Sequence, residues 1–514
     1  MNVAAGWTAV ILVSAVTLGI GAFGLRFSRT TSDFLVASRS VGPLWNASAI
    51  GGEYLSAASF LGIAGLVLAF GADMLWFPVG FAVGYLVLLV LVAAPLRRSG
   101  AYTIPDFAEA RLESRTVRRL ASVLVVVVGW LYLLPQLQGA GLTLRTVTGA
   151  PTWTGVVLVA AVVVLNVVSG GMRSITFVQA FQYWLKLTAL LVPVIVLLVV
   201  WRADGAPSPA SGKGGVGAAD WLLPLASGSA TDLYQTYSLM VATFLGTMGL
   251  PHVLVRFYTN PDGPAARRTT VIVLALLAVF YLLPPVYGSI GRLYAPDLVI
   301  AGRADAVVLE LPSRMLDGLG GDLLGALLTA GAFAAFLSTS SGLTVSVAGA
   351  LSQDVLTRLP LGRGRRLGGV AAFRLAALLA LTVPLAIALS TERLAVASSV
   401  GLAFAVAAST FCPLLVLGIW WRGLTDAGAV AGLLAGGIAS GGAVVLAIAQ
   451  PDATGWAGVL VAQPAAWTVP TAFVVMVVAS LVTPDRIAPG VDRTMVRLHA
   501  PEALDLDCGS WQPR

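Results

Sequence analysis

The chain reads as an all-α polytopic membrane protein. Of its 514 residues 58% are hydrophobic and only 11% charged, against about 25% charged in soluble domains. Apolar runs of about 20 residues, the length that crosses a bilayer as a helix, recur from end to end. Basic residues gather in every second connection, the pattern that orients a membrane protein. A soluble globular protein is excluded, and the formal charge of +7 is a topology signal that implies no nucleic-acid partner.

Runs bounded by charges or Pro/Gly clusters predict about thirteen spans. The first, at about 4–24, has no positive charge before Arg26 and reads as an anchor, not a cleaved signal peptide. The others run at about 45–69, 73–96, 120–144, 152–169, 175–201, 231–255, 269–291, 321–353, 367–389, 394–420, 426–449 and 464–483. With the N-terminus outside and the C-terminus cytoplasmic, 22 of the 31 basic residues fall inside, from Arg26 through Arg118, Arg173 and Arg256 to Arg514. That orientation, in a plasma membrane, is the one expected. Lys186 and Arg374 fall within or near spans, and Lys186 and Lys213 are the only lysines.

Residues 1–30 then hold the first helix and the start of an inner loop, 31–201 spans 2 to 6, and 202–230 an outer loop rich in Gly, Ala, Ser and Pro. Spans 7 to 11 occupy 231–420, two more spans 421–483, and a cytoplasmic tail 484–514. Between Tyr102 and Arg119, acids and arginines alternate around Ile104, Phe107, Ala108 and Leu112. This suits either a short amphipathic helix at the inner surface or a solvated connector. Cys412 and Cys508 suggest neither a disulfide framework nor a zinc site. No G-x-x-x-x-G-K-[ST] loop is present, which argues against ATP drive.

Two spans carry residues a continuous membrane helix disfavours. The second places Gly51-Gly52-Glu53 about eight residues into an apolar run; glycine weakens the helix, and an intramembrane carboxylate costs at least about 2.5 kcal/mol. An unwound hinge lining a cavity accounts for both, because freed carbonyls and helix N-termini near the midplane hold ions and anions in secondary transporters. Close helix crossing through small residues is the alternative, although it needs no Glu53. The seventh span has the same character at Gly246, Gly249, Pro251 and His252. Breaks five spans apart imply that spans 2–6 and 7–11 form an inverted pair.

At these residues the sequence resembles the sodium/solute symporter family, from about Phe34 to the end of the last span. Ser56-Ala57-Ala58-Ser59-Phe60-Leu61-Gly62 looks like the broken first helix of the family core, and Gly170-Gly171-Met172-Arg173-Ser174 with Gln182 like its signature. Gly249-Leu250-Pro251-His252 before Arg256-Phe257 resembles the second broken helix, and the run AAFLSTSSG from Ala334 the ion-binding eighth core helix. The runs SAASFLG, YTIPDFAEAR and YLLPQLQGAG are similar to the cation/acetate (monocarboxylate) symporter branch. The resemblance implies a LeuT-like 5+5 inverted-repeat core with one extra helix before and two after.

The implied sodium site pairs the Ala335 carbonyl and the Ser338 and Thr339 hydroxyls, which share one helix face, with the Gly52 and Leu55 carbonyls freed at the break. Back-bonding or interhelical hydrogen bonding by Ser338 and Thr339 is the alternative. Gln179 stands where many relatives carry an Asp, so one Na⁺ per cycle is expected, with a monocarboxylate anion and electroneutral transport. For that anion, Ser56 and Ser59 lie just beyond the break; Thr243 and Thr247, and Tyr132 and Gln136, are i, i+4 pairs, Tyr132 aligning with a family substrate-site tyrosine. Interhelical bonding is the other role open to Tyr132 and Gln136. Glu53 and His252 are gating or coupling candidates, His252 through a proton-linked step or as a structural residue.

The sequence therefore predicts a carrier, not an enzyme, that takes up acetate or a similar short monocarboxylate with Na⁺. No cofactor is expected beyond this coupling ion, H⁺ being the alternative. Proton coupling or another solute, such as pyruvate or proline, is the rival within the family. A membrane sensor or channel is the rival from another class. The lipid bilayer is the expected surrounding, and the sequence implies no particular oligomeric state.

Overall fold

The computed structural model describes residues 2–24, 41–212, 217–225, 228–356, 368–390, 396–450 and 453–500; Arg26, Lys213, Cys508 and Arg514 lie outside the described residues. Among these residues every regular element is helical. Helix α1 is Val3–Gly24. Helices α2 (Pro43–Tyr54) and α3 (Ile63–Phe70) form one interrupted span, followed by α4 (Trp76–Leu91) and the short α5 (Ile104–Leu112). Next come α6 (Arg115–Thr148) and α7 (Thr152–Ala203). A second interrupted span joins α8 (Ala230–Thr247) to α9 (Pro251–Val255). Then follow α10 (Gly263–Tyr281), α11 (Leu283–Tyr294), α12 (Val307–Met315) and α13 (Leu319–Leu351). The chain continues through α14 (Gly369–Ser390), α15 (Val396–Trp420), α16 (Asp426–Ala449), α17 (Gly455–Ala462), α18 (Ala465–Leu481) and α19 (Val491–His499).

Ten of the described helices are long and apolar enough to cross a membrane, or eleven if the α17–α18 pair, bent by 62°, is one span. The expected thirteen are not all separate elements by this count, because two predicted boundaries coincide with interruptions inside longer runs. Helix α7 has 52 residues, about 78 Å at 1.5 Å per residue, against a hydrocarbon core of about 30 Å. Gly171 (φ 58°, ψ −163°) interrupts it, in a region open essentially to glycine alone. The run Ala58–Leu91 is divided by a 3₁₀ turn at Gly71–Leu75, where Gly71 has φ 75°.

Local sequence sets the helix starts. Ser229 Oγ accepts from Asp232 N at 3.2 Å, Asp262 Oδ1 from Ala265 N at 2.7 Å and Thr425 Oγ1 from Gly428 N at 3.0 Å, satisfying N–H groups that have no partner within the helix. The segment α5 is a docked helix, not a solvated connector: Ile104, Phe107, Ala108 and Leu112 are buried, and Arg111 Nε donates to Gly418 O at 2.8 Å. Arg118 joins this helix to the end of α13, meeting Asp106 at 2.7 Å and Glu109 and Asp354 at 2.5 Å each. On the 202–230 connection Trp221 is buried and donates its indole N–H to Val67 O at 2.8 Å, over the end of α3.

The core of the molecule is α7 packed on α13, α2, α1 and α6, with α8 set against α4 and α15. Large apolar side chains such as Val90, Val199 and Ile438 remain exposed on the outside. On a membrane protein that surface meets lipid, which is as apolar as they are.

Candidate functional site

The interruption of the second span lies three residues beyond the paired glycines. Helix α2 runs through Gly51, Gly52 and Glu53 and ends at Tyr54; Leu55 (φ −72°, ψ 82°) leaves the helix, and Ser56 N bonds Tyr54 O at 2.8 Å. The glycines serve close approach. A Cβ on Gly51 would stand 2.7 Å from the Tyr183 ring, and one on Gly52 would collide with Gln179 O. Small-residue packing of α2 on α7 therefore explains Gly51 and Gly52, and the unwinding belongs to Leu55 and Ser56. In the second interrupted span Leu250 is extended (φ −76°, ψ 115°) before Pro251, and a Cβ on Gly249 would strike Ala407 O.

Gly52 O and Leu55 O point at a side chain the sequence reading left unassigned. Lys186 Nζ, on α7, donates to Gly52 O, to Leu55 O at 2.7 Å and to Ser338 Oγ at 3.0 Å. Three of the five oxygens expected around Na⁺ thus surround a lysine. The other two are engaged in the protein: Ala335 O accepts the Ser338 hydroxyl at 3.1 Å, and Thr339 Oγ1 donates to Glu53 O at 2.6 Å.

A second cation lies beside the first. Arg256 Nε pairs with Glu53 Oε2 at 2.7 Å, its Nη1 donates to Thr176 Oγ1 at 2.8 Å, and its Nη2 donates to Gln179 Oε1. Gln179 Nε2 in turn donates to Ser338 O at 2.8 Å. The charge count placed Arg256 in an inner connection; it is 0% exposed, as is Lys186, and Glu53 is 1% exposed. Glu53 is the one acid in the fully buried class among the described residues, so this cluster holds one carboxylate against two basic groups. Its second oxygen, Oε1, has no hydrogen-bond partner. Gly342 on α13 lies so close to that carboxylate that a Cβ there would clash with it.

Beyond the break, Gln136 Oε1 accepts from Ala57 N at 3.2 Å while its Nε2 has no partner. Ser56 Oγ and both ring nitrogens of His252 are likewise buried without partners. Tyr132 stands edge-on to His252 (5.3 Å between centroids) and 5.9 Å from Phe404. Ser59 Oγ shares a 3.1 Å hydrogen bond with Tyr281 OH, whose ring stacks on Phe81 at 5.9 Å. Phe81 also lies 5.0 Å from Phe404 and 6.0 Å from Tyr54. The result is a small set of unsatisfied donors and acceptors walled by aromatic rings, the usual make-up of a small-molecule site.

The threonine pair does not join it in the expected way. Thr243 Oγ1 bonds back to Leu239 O at 2.8 Å and sits where a side chain on Gly80 would have to go; Thr247 Oγ1 bonds Thr243 O at 2.8 Å and contacts Tyr54 OH at 2.9 Å. A hydroxyl with a neighbouring helix carbonyl in reach bonds it before it faces a cavity, so Thr243 packs α8 on α4, and only Thr247 touches the aromatic wall.

The profile of the sodium:solute symporter family matches residues 34–436. The chain belongs to that family. The uncharacterized symporter YwcA of Bacillus subtilis (strain 168) is 33% identical over 458 residues, spanning 87% of this symporter and 86% of YwcA. Among solved structures, the substrate-bound outward-open state of a Na⁺-coupled sialic acid symporter covers 94% of this chain and 98% of its own, at 16% identity and a TM-score of 0.71. MhsT in complex with L-phenylalanine covers 85% of this chain and 98% of its own, at 16% identity and a TM-score of 0.53. At such identities the likeness is one of fold, and that fold is LeuT-like. As a member of the sodium:solute symporter family, the protein is a multi-pass membrane transporter and not an enzyme.

Proposed function

We propose that this symporter couples Na⁺ entry to uptake of acetate or a similar short monocarboxylate across the plasma membrane, with the N-terminus outside and the C-terminus in the cytoplasm. The observation that carries the reading is the buried charge balance: Glu53 pairs with Arg256, while Lys186 beside them has only two backbone carbonyls and a hydroxyl as partners. A buried charge without a partner is costly, and an anionic substrate supplies the missing negative charge. Ser56, Gln136 Nε2, Tyr132 and His252 offer polar contacts to a carboxylate, and Tyr54, Phe81, Phe404 and Tyr281 an apolar wall to a short alkyl tail. Electrostatics in a water-poor site then favours anions over zwitterions such as proline, whose own ammonium adds a further positive charge.

Na⁺ as the coupling ion rests on family membership and on the Na⁺-coupled neighbour. A second reading, H⁺ in place of Na⁺, is favoured by one observation: a protein cation already stands among the oxygens expected to hold Na⁺. The deciding experiment is uptake of labelled acetate, pyruvate and proline into proteoliposomes under separately imposed Na⁺ and pH gradients. Saturable acetate uptake driven by the Na⁺ gradient is expected. Preference for proline would overturn the substrate class, and drive by a pH gradient alone would select the second reading.

A further inference from the structure

Lys186 is one of two lysines in the chain and lies in the largely apolar part of α7 that follows the interruption at Gly171. An ionisable side chain at such a place is rare and marks function more often than packing. Its position is fixed by three oxygen partners. The Gly52 and Leu55 carbonyls have lone pairs only, and the Ser338 hydroxyl hydrogen is directed to Ala335 O, so all three partners receive a hydrogen from Nζ. Three donated hydrogens are what an ammonium has and a neutral amine lacks. The Lys186 amine therefore occupies the oxygen cradle, held in part by the two carbonyls that the break in the second span leaves without backbone partners, and in its ammonium form it places a positive charge there.

We propose that Lys186 is the resident cation of this cradle, and that its ammonium and Na⁺ are alternative occupants of it. The inference rests on the reading of these oxygens as the coupling-cation site. Two like charges cannot share one set of ligands in a dry interior, so Na⁺ enters only when Nζ withdraws. Glu53 Oε1, buried without a partner on the residue next to Gly52, is the acceptor left open for the displaced ammonium. A cradle open to Na⁺ for a tenth of the time or less has its apparent affinity reduced at least about tenfold. Removing the amine restores that affinity.

The test uses the full-length protein in detergent and reads binding, not uptake. Thermal unfolding midpoints of wild type, Lys186→Met and Lys186→Gln are followed as NaCl replaces choline chloride at constant ionic strength. Half-maximal Na⁺ stabilisation is expected at about tenfold lower concentration, or lower still, in both variants. An unchanged midpoint concentration, or loss of the Na⁺ response in folded variants, overturns the proposal, since Lys186 would then support the site instead of competing for it. A wild-type measurement removes dependence on how the variants fold. With only Lys186 and Lys213 present, ¹⁵Nζ-lysine labelling gives two ammonium signals, and NaCl must shift one of them. Two unmoved signals at a Na⁺ concentration that stabilises the protein would also overturn the idea. Failure of acetate uptake, by contrast, sinks only the substrate assignment.

Discussion

Glu53→Gln tests whether the buried charge cluster is held by its single carboxylate. Glu53 Oε2 meets Arg256 Nε at 2.7 Å, with both side chains almost fully buried. Removing one partner of such a pair costs about 3–5 kcal/mol, because the remaining charge stays buried and uncompensated. The position that should restore it is Gln179, whose Oε1 already accepts from Arg256 Nη2. Adding Gln179→Glu returns a negative charge to the same guanidinium. The replacement is incomplete, since Gln179 Nε2 donates to Ser338 O at 2.8 Å and a glutamate oxygen there would face a carbonyl, a loss of about 1–3 kcal/mol. The double variant should therefore regain about half of what Glu53→Gln loses. Detergent-solubilised thermal unfolding of wild type, both single variants and the double variant forms the cycle, and a coupling of at least about 1 kcal/mol is expected. If the two effects add within about 0.5 kcal/mol, or if Glu53→Gln is as stable as wild type, the charge-cluster argument is wrong.

Other outcomes follow from separate parts of the molecule. Gly52→Ala places a methyl against the Gln179 backbone carbonyl and should destabilise by about 1–3 kcal/mol or abolish expression, while Gly441→Ala, with open space at its Cβ, should do neither; equal thermal midpoints would refute the packing role. Arg118→Gln leaves Asp106, Glu109 and Asp354 facing one another, and hydrogen exchange should rise across residues 104–112. Asp305, on the connection before α12, is pushed up by burial to about 6 from the ordinary 3.8. Its proton is held more tightly in the folded protein, so stability is greatest below the unfolded value and declines as pH rises through about 6. Asp305→Asn should then gain at most about 3 kcal/mol at pH 7.5 and roughly half of that at pH 5; a gain independent of pH would refute the titration.

Hydropathy made the helical class and most helix positions legible, because about 20 apolar residues in a row have few other uses. It could not locate Leu55 as the point of unwinding: Gly51 and Gly52 carry the stronger local signal, and only the proximity of Tyr183 and Gln179 shows that they are there for contact. Counting positive charges treated Arg256 as part of a connection, whereas its guanidinium turns inward to Glu53. The signal for Lys186 was available, a lone lysine in an apolar run, yet its partners lie 131 to 152 residues away in sequence. No local pattern brings those together. Thr243 and Thr247 share a helix face as their spacing requires, but spacing does not say that Gly80 and Gly84 fill the space in front of them.

The turn at Gly171 has a consequence for how the chain is made. Between Thr152 and Ala203 no connector of ordinary length separates the two helical parts; the one residue with non-helical dihedrals is a glycine whose φ is 58°. The membrane-insertion machinery therefore meets two largely apolar stretches separated only by Gly170 and Gly171, with Arg173 nearby, as the local cue to break the helix. A side chain at position 171 would oppose that turn, and a straight rod of about 78 Å has no place in a bilayer.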